Sequence, residues 1–171
     1  MPVAIFPVKR MLPWLLLPLG VLFGLLVGLA VLSVHVKPRI GLEHGRLRSP
    51  PAGTANCVCS EAGVPAGARV SPLTFADGPD AEWQRVRSVV MAQGGHIENE
   101  LPDYLWATYR MRLLPFVDDL ELRLDRAHHL SEVRSASRVG HSDLGTNRRR
   151  VEDLRRRFNA SKPGASSPSV P

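Results

Sequence analysis

The residues best suited to chemistry lie between positions 134 and 150. Arg134 and Arg138 fall four apart on a segment that reads as a strand, so they share one face while Ser135 and Ser137 share the other. The chain then turns through Gly140, Asp143 and Gly145 and enters a helix near Thr146 and Asn147. A strand, a glycine-bearing loop and a helix start leave unpaired backbone N–H groups at the loop, at the positive end of the helix dipole. With Arg134, Arg138, Ser142, Asn147 and Arg148 around it, this arrangement suits a phosphate or carboxylate. The same residues also have purely structural uses. Asp143 or Asn147 can cap the helix, the glycines can make the turn, and Arg134 can pair with Asp119 or Glu121 across strands.

Other chemistry-bearing groups are weaker. Asp119 and Glu121 share a strand face, but oxygen-ligand metals usually need more carboxylates, and the arginines at 110, 112 and 134 are the natural partners on neighbouring strands. Asp118 falls on the leucine side under strict alternation, which places it at a strand start or bulge. His128 and His129 sit in a turn, and His44, His96 and His141 are scattered surface residues. Ser135, His141 and Asp143 have the residue types of a hydrolase triad, yet no nucleophile-elbow pattern accompanies them. Cys57 and Cys59 are one residue apart, a spacing that strains a disulfide, and no four-ligand zinc spacing is present. No catalytic residue, cofactor or metal ligand is expected.

The elements that position these residues are legible from periodicity. Asp77-Gly78-Pro79 opens a helix, Trp83, Val86 and Val90 line one side of it, and Gly94-Gly95 ends it. Residues 104–114 alternate, with Leu105, Ala107, Tyr109, Met111 and Leu113 on one face. Residues 117–125 alternate again, with Leu120, Leu122 and Leu124 opposite Asp119, Glu121 and Arg123. A turn at 126–129 leads to a third strand at 130–138, and residues 96–101 form a shorter one. Val151, Leu154 and Phe158 mark the apolar side of a last helix. The pattern predicts an α+β domain: one small antiparallel sheet with two helices on its apolar face.

Ahead of this domain, residues 11–34 run without a charge, and their 24 residues exceed the roughly 20 that cross a bilayer. Pro13 and Pro18 fall in the first turns, and Trp14 is placed as an interfacial aromatic. A cleaved signal peptide has an apolar core of only about 7–15 residues, and Val31-Leu32-Ser33 is a poor cleavage site, which favours an uncleaved single-pass anchor in the cell membrane. Lys9 and Arg10 precede the run and Lys37 and Arg39 follow it. The short N-terminal segment, 1–10, tips the balance to an inside N-terminus and a periplasmic or extracytoplasmic domain.

The organisation is therefore a segment at 1–10, a transmembrane helix at 11–34, a linker at 35–46, a domain at 47–158 and a Ser/Pro-rich disordered tail at 159–171. Nine Lys/Arg against three acids between 134 and 162 account for the whole net charge of +6. The expected partners are the lipid bilayer, a small anion or lipid headgroup, or another membrane protein. Nucleic acid is an unsuitable partner for a domain outside the cytoplasm.

Two segments carry a resemblance. Phe116-Val117-Asp118-Asp119-Leu120-Glu121 and the run from Val133-Arg134-Ser135-Ala136-Ser137-Arg138 through Gly140-His141-Ser142-Asp143-Leu144-Gly145-Thr146-Asn147 to Glu152 resemble the bacterial and plastid family known as domain of unknown function 1499. Asn56-Cys57-Val58-Cys59-Ser60 is similar to that family's early segment, with Cys59 where serine is expected. The resemblance implies membrane attachment or export and leaves the biochemical activity open. The reading that follows is a membrane-anchored, non-enzymatic binding or interaction module; the alternative is a membrane-associated enzyme using Asp118, Asp119, Glu121 and nearby serines.

Overall fold

A computed structural model describes residues 8–111 and 116–161. Positions 112–114 of the expected strand, residues 1–7, the side chain of Trp14 and the tail from 162 onward lie outside it. The chain opens with helix α1 (Val8–His35), of which Leu16–His35 has a mean hydropathy of 2.5 and is long and apolar enough to cross a membrane. There follow a hairpin of β1 (Leu42–Glu43) and β2 (Arg46–Leu47), then β3 (Cys57–Cys59), a 3-10 turn (Ala66–Ala68) and β4 (Leu73–Thr74). The rest of the domain is α2 (Pro79–Ala92), β5 (His96–Leu101), β6 (Tyr104–Arg110), β7 (Val117–Asp125), β8 (Leu130–Ser137) and α3 (Thr146–Ala160).

Local chemistry explains the boundaries. Pro79 opens α2, where a missing N–H costs nothing, and the Glu82 carboxylate reaches back to accept from the N–H groups of Ala76 and Asp77. Gly94 ends the helix at φ +89, a left-handed conformation. A Cβ on Gly95 would come within 2.9 Å of the Tyr109 ring, so only glycine lets α2 leave the sheet here.

The main sheet has six strands and is larger than expected. Its order is β3-β8-β7-β6-β5, with β4 also paired to β8, and every one of these pairings is antiparallel. β3 and β4 take successive parts of one edge of β8, and both are too short to show a period in sequence. Leu105 and Ala107 of β6, Leu120, Leu122 and Leu124 of β7 and Val133 of β8 face α2 and α3. They pack against Trp83, Val86 and Val90 from α2 and Val151, Leu154 and Phe158 from α3. Burying each of these leucines, valines and the phenylalanine contributes about 2 kcal/mol.

The opposite face departs from the expected half-exposed sheet. Asp119, Glu121 and Arg134 are all buried there, as is Thr108. Residues 35–46, read from sequence as a linker, supply part of the cover. The Gly41 N–H donates to Glu121 Oε1 at 2.7 Å and to the Tyr104 hydroxyl at 3.2 Å. Leu47 packs with Cys59, Val64 and Tyr104, and its N–H donates to Glu61 Oε1. Arg123 closes the arrangement on Glu61 at 2.8 Å. At the end of α1, Ala30 and Ser33 are buried, and Ser33 Oγ accepts from the Val117 N–H at 2.8 Å. The apolar helix thus joins the start of β7.

Candidate functional site

The covered face is organised around two ion pairs, one buried and one partly buried. Glu121 is 0% exposed; its Oε2 accepts from Arg134 Nη1 at 2.6 Å and its Oε1 from the Tyr104 hydroxyl at 2.8 Å. Arg134 is 3% exposed and its Nε has no hydrogen-bond partner. One register step away, Arg138 makes a bidentate pair with Asp119 at 2.8 and 2.9 Å, and Asp119 Oδ1 also accepts from Trp106 Nε1. Planar guanidinium and carboxylate match this geometry, and a low-dielectric setting strengthens it. Burial pushes the Tyr104 phenol up, raises the Cys57 thiol and takes the Cys59 thiol to about 11, so all three stay neutral near pH 7.

Arg134 and Arg138 line a cavity of about 260 Å³ with Asn56, Cys57, Thr54 and Ser137. Lys37 and Arg39 line it from the other side, and both are solvent-exposed. Among the described residues neither has a carboxylate partner, in contrast to Arg134 and Arg138. They follow His35, the last residue of α1, by two and four positions. The cavity therefore combines two paired guanidiniums and the Asp119 carboxylate with two cations, unpaired among the described residues, at the foot of the apolar helix.

The other three residues expected at an anion site lie elsewhere. Asn147 is completely buried and joins three elements. Its Oδ1 accepts from Ser135 Oγ and Arg150 Nη1, both at 2.6 Å, and its Nδ2 donates to the Asn56 carbonyl at 3.0 Å and Ser137 Oγ at 2.9 Å. The N–H groups at the start of α3 are taken by the chain itself: Asp143 accepts from Gly145 at 2.9 Å and from Asn147 at 2.6 Å. Ser142 Oγ accepts from the Leu144 N–H. Arg148 donates to the carbonyls of Gly67 and Arg69, beside a separate cavity of about 500 Å³.

The acids have definite partners too. Asp118 lies on the leucine side, as alternation requires, and there meets Arg150 at 2.5 Å; that guanidinium also lies 4.7 Å over the Tyr109 ring. Asp118, Asp119 and Glu121 are thus divided between two faces, each paired with its own arginine. Ser135 and Asp143 are bonded in different places, to Asn147 and to the start of α3, and His141 is exposed. Cys57 and Cys59 are both free and buried. Sequence reasoning missed Lys37, Arg39 and Glu61 as parts of this face; the placement of two cations immediately after an apolar run was the available signal for the first two.

Six antiparallel strands, helices on one face and a polar hairpin on the other define an α+β domain that follows a helix of membrane-crossing length. The chain belongs to the family described as protein of unknown function DUF1499, whose sequence profile matches residues 49–158. Comparison with curated proteins finds no match.

Proposed function

We propose that the protein is a single-pass, membrane-anchored binding module whose cavity at the foot of α1 takes the phosphate of an anionic lipid headgroup. The observation that carries this reading is the placement of Lys37 and Arg39, free of carboxylate partners among the described residues, on a cavity shared with Arg134 and Arg138. In an inserted α1, residues just beyond His35 stand at headgroup level, where basic side chains attract anionic lipid. The pairing of Asp118, Asp119 and Glu121 with arginines favours binding over acid–base catalysis. The bond between Ser33 and Val117 favours an uncleaved α1, because removing the helix would strip a buried N–H of its acceptor.

Each basic residue near an anionic surface contributes about 1 kcal/mol, so Lys37→Ala/Arg39→Ala is expected to weaken binding of fluorescent phosphatidylglycerol roughly thirtyfold. The full chain in neutral detergent is the sample, with phosphatidylcholine and inorganic phosphate as the comparison probes. Equal retention of phosphatidylglycerol and phosphatidylcholine by the wild type would overturn the reading. Preference for free phosphate over the lipid would make the site one for a soluble anion.

An extracytoplasmic domain is part of this proposal. An alkaline phosphatase fusion after Pro171 is expected to be active. A fluorescent green-fluorescent-protein fusion with an inactive phosphatase counterpart would reverse the assignment.

A further inference from the structure

The end of the sheet that receives α1 carries a second feature that headgroup binding does not use. Met111 and Phe116, the described residues flanking the β6–β7 connection, and Val139 and Leu144, from the loop between β8 and α3, form an apolar rim. Leu144 is 85% exposed at its loop tip, and its φ of +54 is a conformation that leucine rarely adopts. Neither burial nor local backbone preference accounts for leucine at that position. Met111 is also exposed. A cleft of about 400 Å³ separates this rim from α1, and its far wall is Leu26 and Leu29.

The position of those two leucines along α1 identifies what fills the cleft. Leu16–His35 has 20 residues and is about 30 Å long at 1.5 Å per residue, the thickness of a bilayer's hydrocarbon core. Leu29 and Leu26 precede His35 by six and nine residues, which places them about 9 and 13 Å below the end of the span. Side chains that share a cleft with them lie at comparable depth. From this we infer that the Met111, Phe116, Val139 and Leu144 rim is immersed in the acyl-chain layer of the membrane, and that a lipid acyl chain fills the cleft against α1. The domain is then partly embedded on one side of its anchor, rather than suspended above the bilayer.

This inference rests on the membrane-anchor reading of α1, and the test separates the two. Single cysteines are introduced at Leu144→Cys on the rim, Val139→Cys in the cleft, Leu22→Cys on the anchor and His128→Cys in the β7–β8 turn at the opposite end of the sheet. Each full-length variant is nitroxide-labelled and reconstituted in phosphatidylcholine/phosphatidylglycerol vesicles. Wild type, whose two cysteines are buried, serves as the labelling blank. Electron paramagnetic resonance then reads collision with oxygen, which concentrates in lipid, against collision with a water-soluble nickel chelate.

The expected result is an oxygen-to-nickel ratio at 144 and 139 that matches position 22 and exceeds position 128 several-fold. Nickel access at 144 or 139 with lipid exposure at 22 overturns the inference and leaves the anchor in place. Low collision with both reagents at 144 means that a protein partner covers the rim, and also overturns it. Nickel access at 22 removes the anchor itself and the inference with it.

Discussion

On the helix side of the sheet, Leu105, Leu120, Leu122 and Val133 meet α2 and α3 through apolar contact. On the other side, Glu121, Arg134 and Asp119 are buried, Glu121 beneath the Gly41 backbone of the 41–47 hairpin, and Arg138 is partly buried on Asp119. The depth of burial is similar and the physics is not. Apolar packing is additive and tolerant, since one lost contact leaves the others in place. A buried ion pair gives little net stability when whole, yet costs several kcal/mol when one partner goes, because the other stays charged in a dry place. The helix side therefore supplies stability. The hairpin side requires that every partner, including the Gly41 N–H and the Tyr104 hydroxyl, arrive together.

Substitutions can sharpen or break this comparison. The largest effect is expected for Glu121→Leu, which leaves Arg134 unpaired and should cost about 4 kcal/mol in denaturation of the detergent-solubilised chain followed by circular dichroism. Adding Arg134→Met should restore most of that loss. A single-variant cost as small as that of a surface substitution would break the comparison. On the helix side, Leu154→Ala should cost about 3 kcal/mol, with no recovery from any charge-removing second change and no dependence on salt.

Asn147→Ala tests a polar group buried within the helix side. It deletes the side-chain bonds to Ser135, Arg150, Asn56 and Ser137 and should cost about 2 kcal/mol by the same measurement. The smallest effect belongs to the surface of α3. Hydrogen bonds from Arg157, then Gln93 and Arg156, lower the Asp153 carboxyl to about 2. A depressed carboxyl pKa stabilises the fold above the unfolded value near 3.8, and that contribution is lost as pH falls through about 2. Asp153→Asn should therefore lower stability at pH 7 by less than about 1 kcal/mol, after solvent screening, and should match wild type once both are below pH 2.

The legible half of the fold is the half governed by periodicity. Leu120, Leu122 and Leu124 announce a strand, Trp83, Val86 and Val90 a helix, and Gly94 its end, because each follows from local geometry. That Arg134 pairs with an acid of the neighbouring strand was legible as well, since opposite charges there seek one another, but the choice of Glu121 over Asp119 was not. The cover was not. Two-residue strands such as β1 and β2 are too short to show alternation, and a glycine- and proline-rich run looks the same whether it hangs in solvent or lies across a sheet. Glu61 becomes important only through distant partners, Leu47 14 positions earlier and Arg123 62 positions later. Asn147 likewise reads as an ordinary helix-start residue until Asn56, 91 positions earlier in the chain, is brought against it. The candidate cavity belongs to this second kind, with Lys37 and Arg39 meeting Arg134 and Arg138 across about a hundred residues of chain.

One hydroxyl has a mechanical consequence. A helix joined to its domain by chain alone would let the domain spin about the helix axis. Ser33 opposes this by bonding the Val117 backbone at the root of β7, which favours one heading of the domain relative to α1. Tilt of the helix is thereby coupled, through one bond, to the central strand of the sheet. Exchanging α1 for another apolar helix of equal length, with no hydroxyl at that position, would keep the attachment and put the domain on a swivel.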